Sequence, residues 1–153
     1  MFHIILYEPE IPPNTGNIIR LCANTGNQLH LIHPLGFSID DKQLRRAGLD
    51  YREFTDVREH ARLEDCIKQL PDSRLFAVST KGQSNYADIH FKQDDAFLFG
   101  PETRGLPAKL LNSFAPQDVL RIPMQRNSRS LNLANAASIL VYEAWRQLDF
   151  EST

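Results

Sequence analysis

Short apolar runs alternate along the chain with segments in which apolar residues recur at helical spacing. The runs predict five buried strands, at 2–7, 28–33, 74–79, 96–99 and 119–122. One helix and short connections join the first two strands, which is the sequence form of a parallel crossover. The pattern therefore indicates an α/β fold with a mostly parallel sheet flanked by helices.

The first helix is predicted between the first two strands. It begins at Asn14 or Thr15, both favourable N-cap residues, and ends near Gly26. Its apolar positions fall on one face, whereas Asn17 and Arg20 fall on a different, polar face. We therefore expect this helix to bury one face and to present Arg20 on the other.

Three further helices follow from the same periodicity. The first is a short helix over 41–47. The second covers about 57–70, where Asp56 and Glu59 resemble a capping box. The last covers about 132–148 and carries a wide apolar stripe, as expected of a helix that packs on a core.

Composition limits the class of protein. The 153 residues correspond to one domain, 1–153, and 42% apolar with 24% charged residues argue against a disordered chain. No apolar run approaches the about 20 residues that span a bilayer, and residues 1–20 show no secretion signal. Cys22 and Cys66 lie in helix-like apolar stripes, which indicates small apolar residues and not a disulfide. Free cysteines are typical of a reducing compartment, so we expect a cytoplasmic protein without membrane contact. The five histidines show no metal-ligand spacing, and no metal is expected.

The distribution of charge is more informative than its sum. The net charge of −2, from 17 basic and 19 acidic residues, is no overall footprint for nucleic acid. Residues 11–39 and 119–135, however, contain no acidic side chain, and they carry Arg20 in the first segment and three arginines in the second. Such local positive patches are compatible with a phosphate-bearing ligand, although two solvated surface loops would have the same composition.

Three predicted strands end in unusual loops, at 79–82, 100–107 and 123–130. Because ligands in open α/β sheets bind beyond the carboxyl ends of strands, these loops predict a binding site, with tight turns as the alternative. Glu102 in the middle loop is a candidate general base or a structural hydrogen-bond acceptor. The GxGxxG, P-loop and GxSxG motifs are all absent from the sequence.

Three ordered motifs carry a resemblance to a known family. The chain resembles SPOUT-class RNA ribose 2′-O-methyltransferases in NTGNIIR at 14–20, FGPETRGLP at 99–107 and IPMQRNSRSLNLANAASI at 122–139. The resemblance covers essentially the whole chain. It is strongest to the minimal, single-domain branch that methylates the wobble nucleotide of tRNA, since the first strand begins at residue 2 and Arg129 precedes the Ser-Leu-Asn of the third motif.

The resemblance implies a fold, a cofactor and an assembly. These are a C-terminal deep trefoil knot formed around 78–82, 99–107 and 121–135, a homodimer, and S-adenosyl-L-methionine as methyl donor with S-adenosyl-L-homocysteine as product and no metal. The residues that match the family's cofactor pocket are Val78, Thr80, Gly100, Glu102, Ile122, Met124, Ser130, Leu131 and Asn135. Largely apolar and backbone contacts suit adenine, which needs a dry slot and a few directed hydrogen bonds.

Arg20 matches the family's catalytic arginine. Its guanidinium stays protonated, so a clamp on an RNA phosphate and on developing negative charge is expected rather than a literal base. In the family this arginine reaches the cofactor site of the other subunit. The candidates for contact with tRNA are Asn14, Arg20, Lys81, Arg126, Arg129 and Tyr142, of which Tyr142 could equally pack at the dimer interface.

The leading hypothesis is methyl transfer from S-adenosyl-L-methionine to the ribose 2′-hydroxyl of the wobble cytidine or uridine, with leucine tRNAs as expected substrates. One alternative keeps this chemistry and moves it to ribosomal RNA or to another tRNA position. A second is a non-catalytic module that binds RNA or a nucleotide, in which Arg20 only contacts RNA. A flavodoxin-like domain with an unrelated ligand would require the ordered motifs to be a coincidence.

Overall fold

Strands and helices alternate along most of the chain. The computed structural model describes residues 1–40, 46, 48–49 and 56–151. The strands are β1 (His3–Tyr7), β2 (Gln28–Ile32), β3 (Val57–His60), β4 (Leu75–Val78), β5 (Ser84–Asn85), β6 (Ala96–Phe99) and β7 (Val119–Arg121). The helices with described bounds are α1 (Pro12–Thr25), α2 (Leu63–Lys68), α3 (Ala108–Asn112) and α4 (Leu133–Gln147).

The described strands form one sheet in the order β3-β2-β1-β6-β4-β7-β5, and every neighbouring pair is parallel. β1 lies inside the sheet, where His3 is in register with Gln28 of β2 and with Ala96 of β6. Because all strands run the same way, their carboxyl ends meet at one edge. The loops that follow β4, β6 and β7 therefore share that edge.

Helices cover both faces of the sheet. α1 and α4 pack on one face, where Ile18 and Leu140 join Phe97 in the larger apolar core. On the opposite face, Cys66 of α2 packs with Leu98. All five side chains are fully buried. Burial of both faces is what an all-parallel sheet requires, and it explains why its central strands are almost continuous apolar runs.

The five predicted strands and the predicted last helix are confirmed, with each end within one residue of its expected position. In α4 the apolar stripe packs into the core, since Ala137, Leu140 and Ala144 are fully buried. The predicted helix over 41–47 lies, except for Arg46, outside the described residues. The knot stays a prediction. In the part of the chain that the structure describes, no helix is long and apolar enough to cross a membrane.

The start of α1 differs from the prediction. The helix begins at Pro12, with Ile11 at its N-cap, and not at Asn14 or Thr15. Proline is favourable in the first turn of a helix, because its missing N–H would have no partner there and its φ angle is already helical. The Ile11 side chain cannot cap the helix, but Pro12 and Pro13 have no N–H, and the first N–H of the helix, that of Asn14, donates to the carbonyl oxygen of Ile11 at 3.1 Å.

The predicted helix over 57–70 is wrong in its first half. Val57–His60 forms the edge strand β3, and α2 begins only after the extended residue Arg62. Glu59 completes no capping box, because its carboxylate lies 2.6 Å from Nε2 of His33. Pairing with β2 satisfies backbone groups that an open edge of the sheet would leave without partners, and this outweighs the local helical pattern.

Candidate functional site

A cavity of about 580 Å³ opens at the carboxyl edge of the sheet. It lies between the loops that follow β4, β6 and β7, and the starts of α1 and α4 complete its wall. The loops singled out by the sequence therefore converge on one cavity. Most of the residues predicted for a cofactor pocket line it, namely Val78, Thr80, Gly100, Glu102, Ile122, Met124, Ser130 and Leu131.

Two glycines allow the loops to pack closely against neighbouring backbone. A Cβ on Gly100 would overlap the backbone of Gly105 and Leu106, and one on Gly82 would lie 2.7 Å from the carbonyl carbon of Leu120. Favourable contacts between carbon atoms begin near about 3.5 Å, so any larger residue would push these segments apart. The close approach holds main-chain groups of the loop after β6 in the cavity wall.

Glu102 joins the loop after β6 to the start of α1. Its carboxylate accepts hydrogen bonds from the backbone N–H groups of Glu10 at 2.7 Å and Ile11 at 3.1 Å, and from Nδ2 of Asn14 at 3.4 Å. A negative charge here also suits the positive end of the helix dipole. Glu102 thus holds the backbone that leads into α1, and its contacts are those of a structural acceptor.

Asn14 extends this connection to α4. Its Oδ1 accepts a hydrogen bond from Nδ2 of Asn132 at 2.9 Å. The Oδ1 of Asn132 in turn caps α4 by accepting from the backbone N–H groups of Ala134 at 2.9 Å and Asn135 at 3.3 Å. One hydrogen-bonded chain, Glu102–Asn14–Asn132, therefore connects the three sequence motifs.

A second set of contacts holds the rim of the cavity. The Glu10 carboxylate accepts hydrogen bonds from Oγ1 of Thr103 at 2.8 Å and from its backbone N–H at 3.2 Å. The side-chain hydrogen bond from Thr103 holds the pKa of Glu10 below its ordinary value. Arg104 forms an ion pair with Glu8 at 3.2 Å. The loop after β6 is thus fastened to the segment that leads into α1.

The structure brings only some of the remaining predicted residues to the cavity. Asn14 and Lys81 line it. Asn135 is exposed in the first turn of α4 and is not part of the lining. The other residues predicted to contact RNA are exposed and also lie outside the lining, namely Arg20, Arg126, Arg129 and Tyr142.

Arg20 lies on the exposed face of α1, as predicted, but does not line the cavity of its own chain. It follows Asn14 by six residues, which places it about 9 Å farther along the helix axis. Its guanidinium donates a hydrogen bond to the carbonyl oxygen of Gly48. Within a single chain, the predicted catalytic arginine and the predicted cofactor pocket are therefore apart.

Several members of the site were not predicted individually from the sequence, among them Ile11, Ser79 and Asn132. Asn132 carried a usable signal, because an asparagine just before an apolar helical run is a typical N-cap. Ser79 ends a predicted strand, and its Oγ accepts from the backbone N–H of Lys81 at 3.1 Å. Ile11 gave no signal, since only the fold places this partly exposed side chain beside the loop after β6.

The lining combines apolar walls with hydroxyl and main-chain groups. Val78, Ile122 and Leu131 contribute apolar side chains, and Thr80 and Ser130 contribute hydroxyls. Small-molecule sites are typically concave, about 300–1,000 Å³ in volume, and apolar with a few directed polar groups. The cavity therefore has the size and chemistry of a site for a small-molecule ligand.

Known proteins resemble this chain over nearly its whole length. Residues 1–142 match the SpoU rRNA Methylase family. A protein of Methylovorus glucosotrophus (strain SIP3-4), named tRNA (cytidine(34)-2'-O)-methyltransferase, is 58% identical over 150 residues, which cover 98% of this chain and 97% of that protein.

Solved structures share the fold. One is described as giving structural insights into the 2-OH methylation of C/U34 on tRNA, and it has a TM-score of 0.89 at 45% identity, covering 99% of this chain and 98% of that one. Another is an AdoMet-bound rRNA methyltransferase from Sinorhizobium meliloti, with a TM-score of 0.81 at 27% identity, covering 96% of this chain and 56% of that one.

Proposed function

The chain belongs to the SpoU rRNA methylase family, and on that premise we propose that it methylates the ribose 2′-hydroxyl of cytidine or uridine 34, the wobble nucleotide of tRNA. The methyl donor is S-adenosyl-L-methionine, and S-adenosyl-L-homocysteine is the product. The observation that carries the proposal is the 58% identity, over 98% of this chain, to a protein named tRNA (cytidine(34)-2'-O)-methyltransferase. The solved relative concerned with C/U34 supports the inclusion of uridine.

The cavity at the carboxyl edge fits S-adenosyl-L-methionine. Its volume of about 580 Å³ suits a molecule of this size, and the side chains of Val78, Ile122 and Leu131 offer an apolar slot for adenine. A Cβ at Gly100 would overlap the backbone of Gly105 and Leu106. Glycine therefore lets the loop fold back on itself, which keeps main-chain groups of the wall within reach of the ligand. When bound, S-adenosyl-L-methionine supplies a methyl group on a positively charged sulfur. The AdoMet-bound relative supports this choice of cofactor.

Arg20 acts on the attacking ribose through its charge. The guanidinium is always protonated in proteins, so it cannot take the proton of the 2′-hydroxyl. Its planar fork can bind an RNA phosphate and stabilise the negative charge that develops on the 2′-oxygen. An oxygen of that phosphate relays the 2′-hydroxyl proton to solvent, which leaves both the phosphate and the arginine unchanged at the end of the reaction.

Two copies of the chain form the working enzyme in this proposal. Arg20 lies outside the cavity of its own chain, and in a homodimer it reaches the cavity of the other copy. The aromatic side chain of Tyr142, which is 47% exposed and lies outside the cavity lining, is available for such an interface. Tyr142 packs in this interface or on an RNA base.

The tRNA substrate binds along the basic residues beside the cavity. Lys81 lines the cavity, and Arg126 and Arg129 are exposed on the loop after β7, in a stretch, 119–135, without an acidic side chain. Phosphate contacts from these side chains would hold the anticodon arm without reading its sequence. A tRNA-modifying enzyme of this kind works in the cytoplasm, where its substrate is.

The test is direct methyl transfer. The full-length protein is incubated with methyl-labelled S-adenosyl-L-methionine and total tRNA from cells that lack wobble 2′-O-methylation. The RNA is digested and its nucleosides are identified by mass spectrometry. We expect label in 2′-O-methylcytidine and 2′-O-methyluridine, and purified leucine tRNAs test the predicted isoacceptor. Fully modified tRNA is the control, and it should accept no label.

Ribosomal RNA is the second candidate substrate, because the matched family and one AdoMet-bound relative carry rRNA in their names. Purified ribosomal RNA therefore serves as a parallel substrate in the same assay. Label in ribosomal RNA and none in tRNA would move the activity to that substrate. A folded protein that binds no S-adenosyl-L-methionine would contradict both, and would leave a non-catalytic RNA-binding module.

A further inference from the structure

Three buried histidines and a buried cysteine cluster on the face of the sheet that α2 covers. His3, His30 and His60 come from the adjacent strands β1, β2 and β3, and Cys66 comes from α2. Nδ1 of His3 lies 3.1 Å from Nε2 of His30, and Nδ1 of His30 lies 3.0 Å from Nε2 of His60. Donor atoms of His30, His60 and Cys66 all lie within 4.8 Å of one another.

This cluster is separate from the cavity at the carboxyl edge. None of its four residues lines that cavity, and β2 and β3 lie at the opposite end of the sheet from β4 and β7. The proposed methyl transfer uses none of them. Histidine is costly to bury in an apolar core, and three interacting histidines beside a buried thiol therefore call for an explanation of their own.

We propose that His30, His60 and Cys66 bind a Zn²⁺ ion. Imidazole nitrogen and thiolate sulfur are the donors that Zn²⁺ prefers, whereas Mg²⁺ and Ca²⁺ require oxygen ligands that this set does not offer. Three protein ligands leave one tetrahedral position, which water can occupy. The ligands come from β2, β3 and α2, so the ion would fix the edge strand and its covering helix to the sheet.

The distances fit a tetrahedral ion. Ordinary zinc bond lengths place two ligating nitrogens about 3.3 Å apart and a nitrogen about 3.6 Å from a sulfur. The His30 and His60 nitrogens are already 3.0 Å apart, and the largest separation in the set is within 4.8 Å. The two nitrogens are therefore close to the spacing that zinc needs, and binding has to bring the Cys66 sulfur to about 3.6 Å from each of them.

His3 orients the His30 ring for this role. With Nδ1 of His30 on the metal, the ring proton of His30 lies on Nε2, which donates to Nδ1 of His3 at 3.1 Å. A ligating histidine usually donates its other N–H in this way, and the partner fixes its tautomer. His60 carries its own proton on Nδ1, and Cys66 releases its thiol proton to solvent, so binding exchanges one proton for one ion.

His60 gives the site a route from solvent. It lines a surface depression together with His33 and Glu59, so an ion can enter from that side of β3. Its charged neighbours are Arg58 and Asp65. The thiolate and Asp65 carry negative charge that offsets the dication, whereas Arg58 opposes it. An Arg58→Gln variant should therefore bind the ion more tightly.

The experiment is titration of the metal-free, full-length protein with Co²⁺ as a spectroscopic substitute, and then with Zn²⁺. We expect one ion per chain, a thiolate-to-cobalt charge-transfer band in the near ultraviolet, and displacement of Co²⁺ by Zn²⁺. Cys66→Ser should remove the band. His3→Ala should retain it with an affinity about 10- to 100-fold lower, which is the usual effect of losing a partner of a ligating histidine.

Matched control variants exclude general effects of substitution. Cys22→Ala removes the other buried cysteine, and His90→Ala removes an exposed histidine outside the cluster and its entry depression, and both should bind Co²⁺ as the unaltered protein does. X-ray absorption at the zinc edge of the unaltered protein needs no variant. It should show sulfur together with imidazole nitrogen around the ion.

Either of two results would overturn the proposal. One is an unaltered protein that binds no ion at one per chain in the titration and shows no sulfur around the zinc in X-ray absorption. The other is a Cys66→Ser variant that folds, by circular dichroism, and keeps the charge-transfer band. None of these readouts involves methyl transfer, so they are independent of the proposed enzymatic function.

Discussion

Some residues of the site hold its shape, and others are proposed to contact RNA. The Glu102 carboxylate is already engaged by two backbone N–H groups and by Asn14, so its role is to join the loop after β6 to α1. Arg20 lies on the exposed side of the same helix, where it can meet a partner from outside its own chain. In the proposed mechanism, the negative charge that develops on the 2′-oxygen is stabilised by Arg20.

Arg20→Ala should lower the rate of methyl transfer by about 100- to 1,000-fold, the usual cost of losing one donor to a developing negative charge. Affinity for S-adenosyl-L-methionine should stay within a few-fold, because Arg20 does not line the cavity of its own chain. Arg20→Lys should recover part of the rate, since it keeps the charge and loses the planar fork. Single-turnover kinetics and calorimetry measure the two quantities, with Arg62→Ala as a control. Near-normal turnover by Arg20→Ala would refute the assignment.

Because the thiol of Cys22 is buried, we expect the protein to lose stability at alkaline pH. Burial raises the pKa of this thiol from an ordinary 9.0 to about 12. The unfolded chain therefore loses the proton first as pH rises, so the contribution is complete below pH 9 and declines between about 9 and 12, by about 1.4 kcal/mol per pH unit. Urea unfolding at several pH values should show the free energy of unfolding of the unaltered protein approaching that of Cys22→Ala. Parallel curves for the two proteins would show that the thiol is not protected.

At the scale of elements, the ends of α1 and α4 are where the fold makes the site. The Glu102 carboxylate accepts hydrogen bonds from the backbone just before α1. Asn132 accepts from the first backbone N–H groups of α4 and donates to Asn14. Both helices therefore begin at the cavity wall, α1 after a segment held by Glu102 and α4 at its own cap, Asn132. Helix stability and site geometry depend on the same side chains.

Two substitutions at Asn132 separate these tasks. Serine caps helices about as well as asparagine, whereas alanine loses about 1 kcal/mol of stability. Both remove the Nδ2 group that donates to Asn14. We therefore expect Asn132→Ser to be the more stable variant in thermal unfolding, and both variants to bind S-adenosyl-L-methionine more weakly by a similar factor. Normal cofactor binding by Asn132→Ser would mean that the link to Asn14 does not shape the cavity.

The sequence predicted elements well where burial and periodicity agree. β6 is buried along its whole length and α4 buries a regular stripe, so both patterns are unambiguous. The segment Val57–His60 was misassigned because its strand is held by pairing with β2, which no local pattern records. β5 and α3 have two and five residues, too few to show a period. The hydrogen bond from the backbone N–H of Ile11 to Glu102 joins residues far apart in the chain. It could not be predicted, because only the fold brings the two residues together.

At the scale of the whole molecule, the net charge of −2 opposes RNA while local patches favour it. Affinity for tRNA should therefore fall steeply with added salt. Replacing Arg126 or Arg129 with glutamine should lower the slope of log affinity against log salt by about 1 each. Filter binding over a range of salt concentrations tests this, with Arg62→Gln, at the residue just before α2, as the control. Unchanged slopes in both loop variants would place the RNA elsewhere on the surface.

The Glu102–Asn14–Asn132 chain also sets the order in which the protein can become active during synthesis. Asn14 leaves the ribosome early, Glu102 follows when two thirds of the chain is made, and Asn132, 118 positions after Asn14, arrives near the end. Contacts of such long range form slowly. A chain that ends between Arg121 and Asn132 contains every described strand but lacks the last of the three linked side chains. If the cavity binds the methyl donor as proposed, such an unfinished copy has no complete site and does not compete with finished enzyme for it.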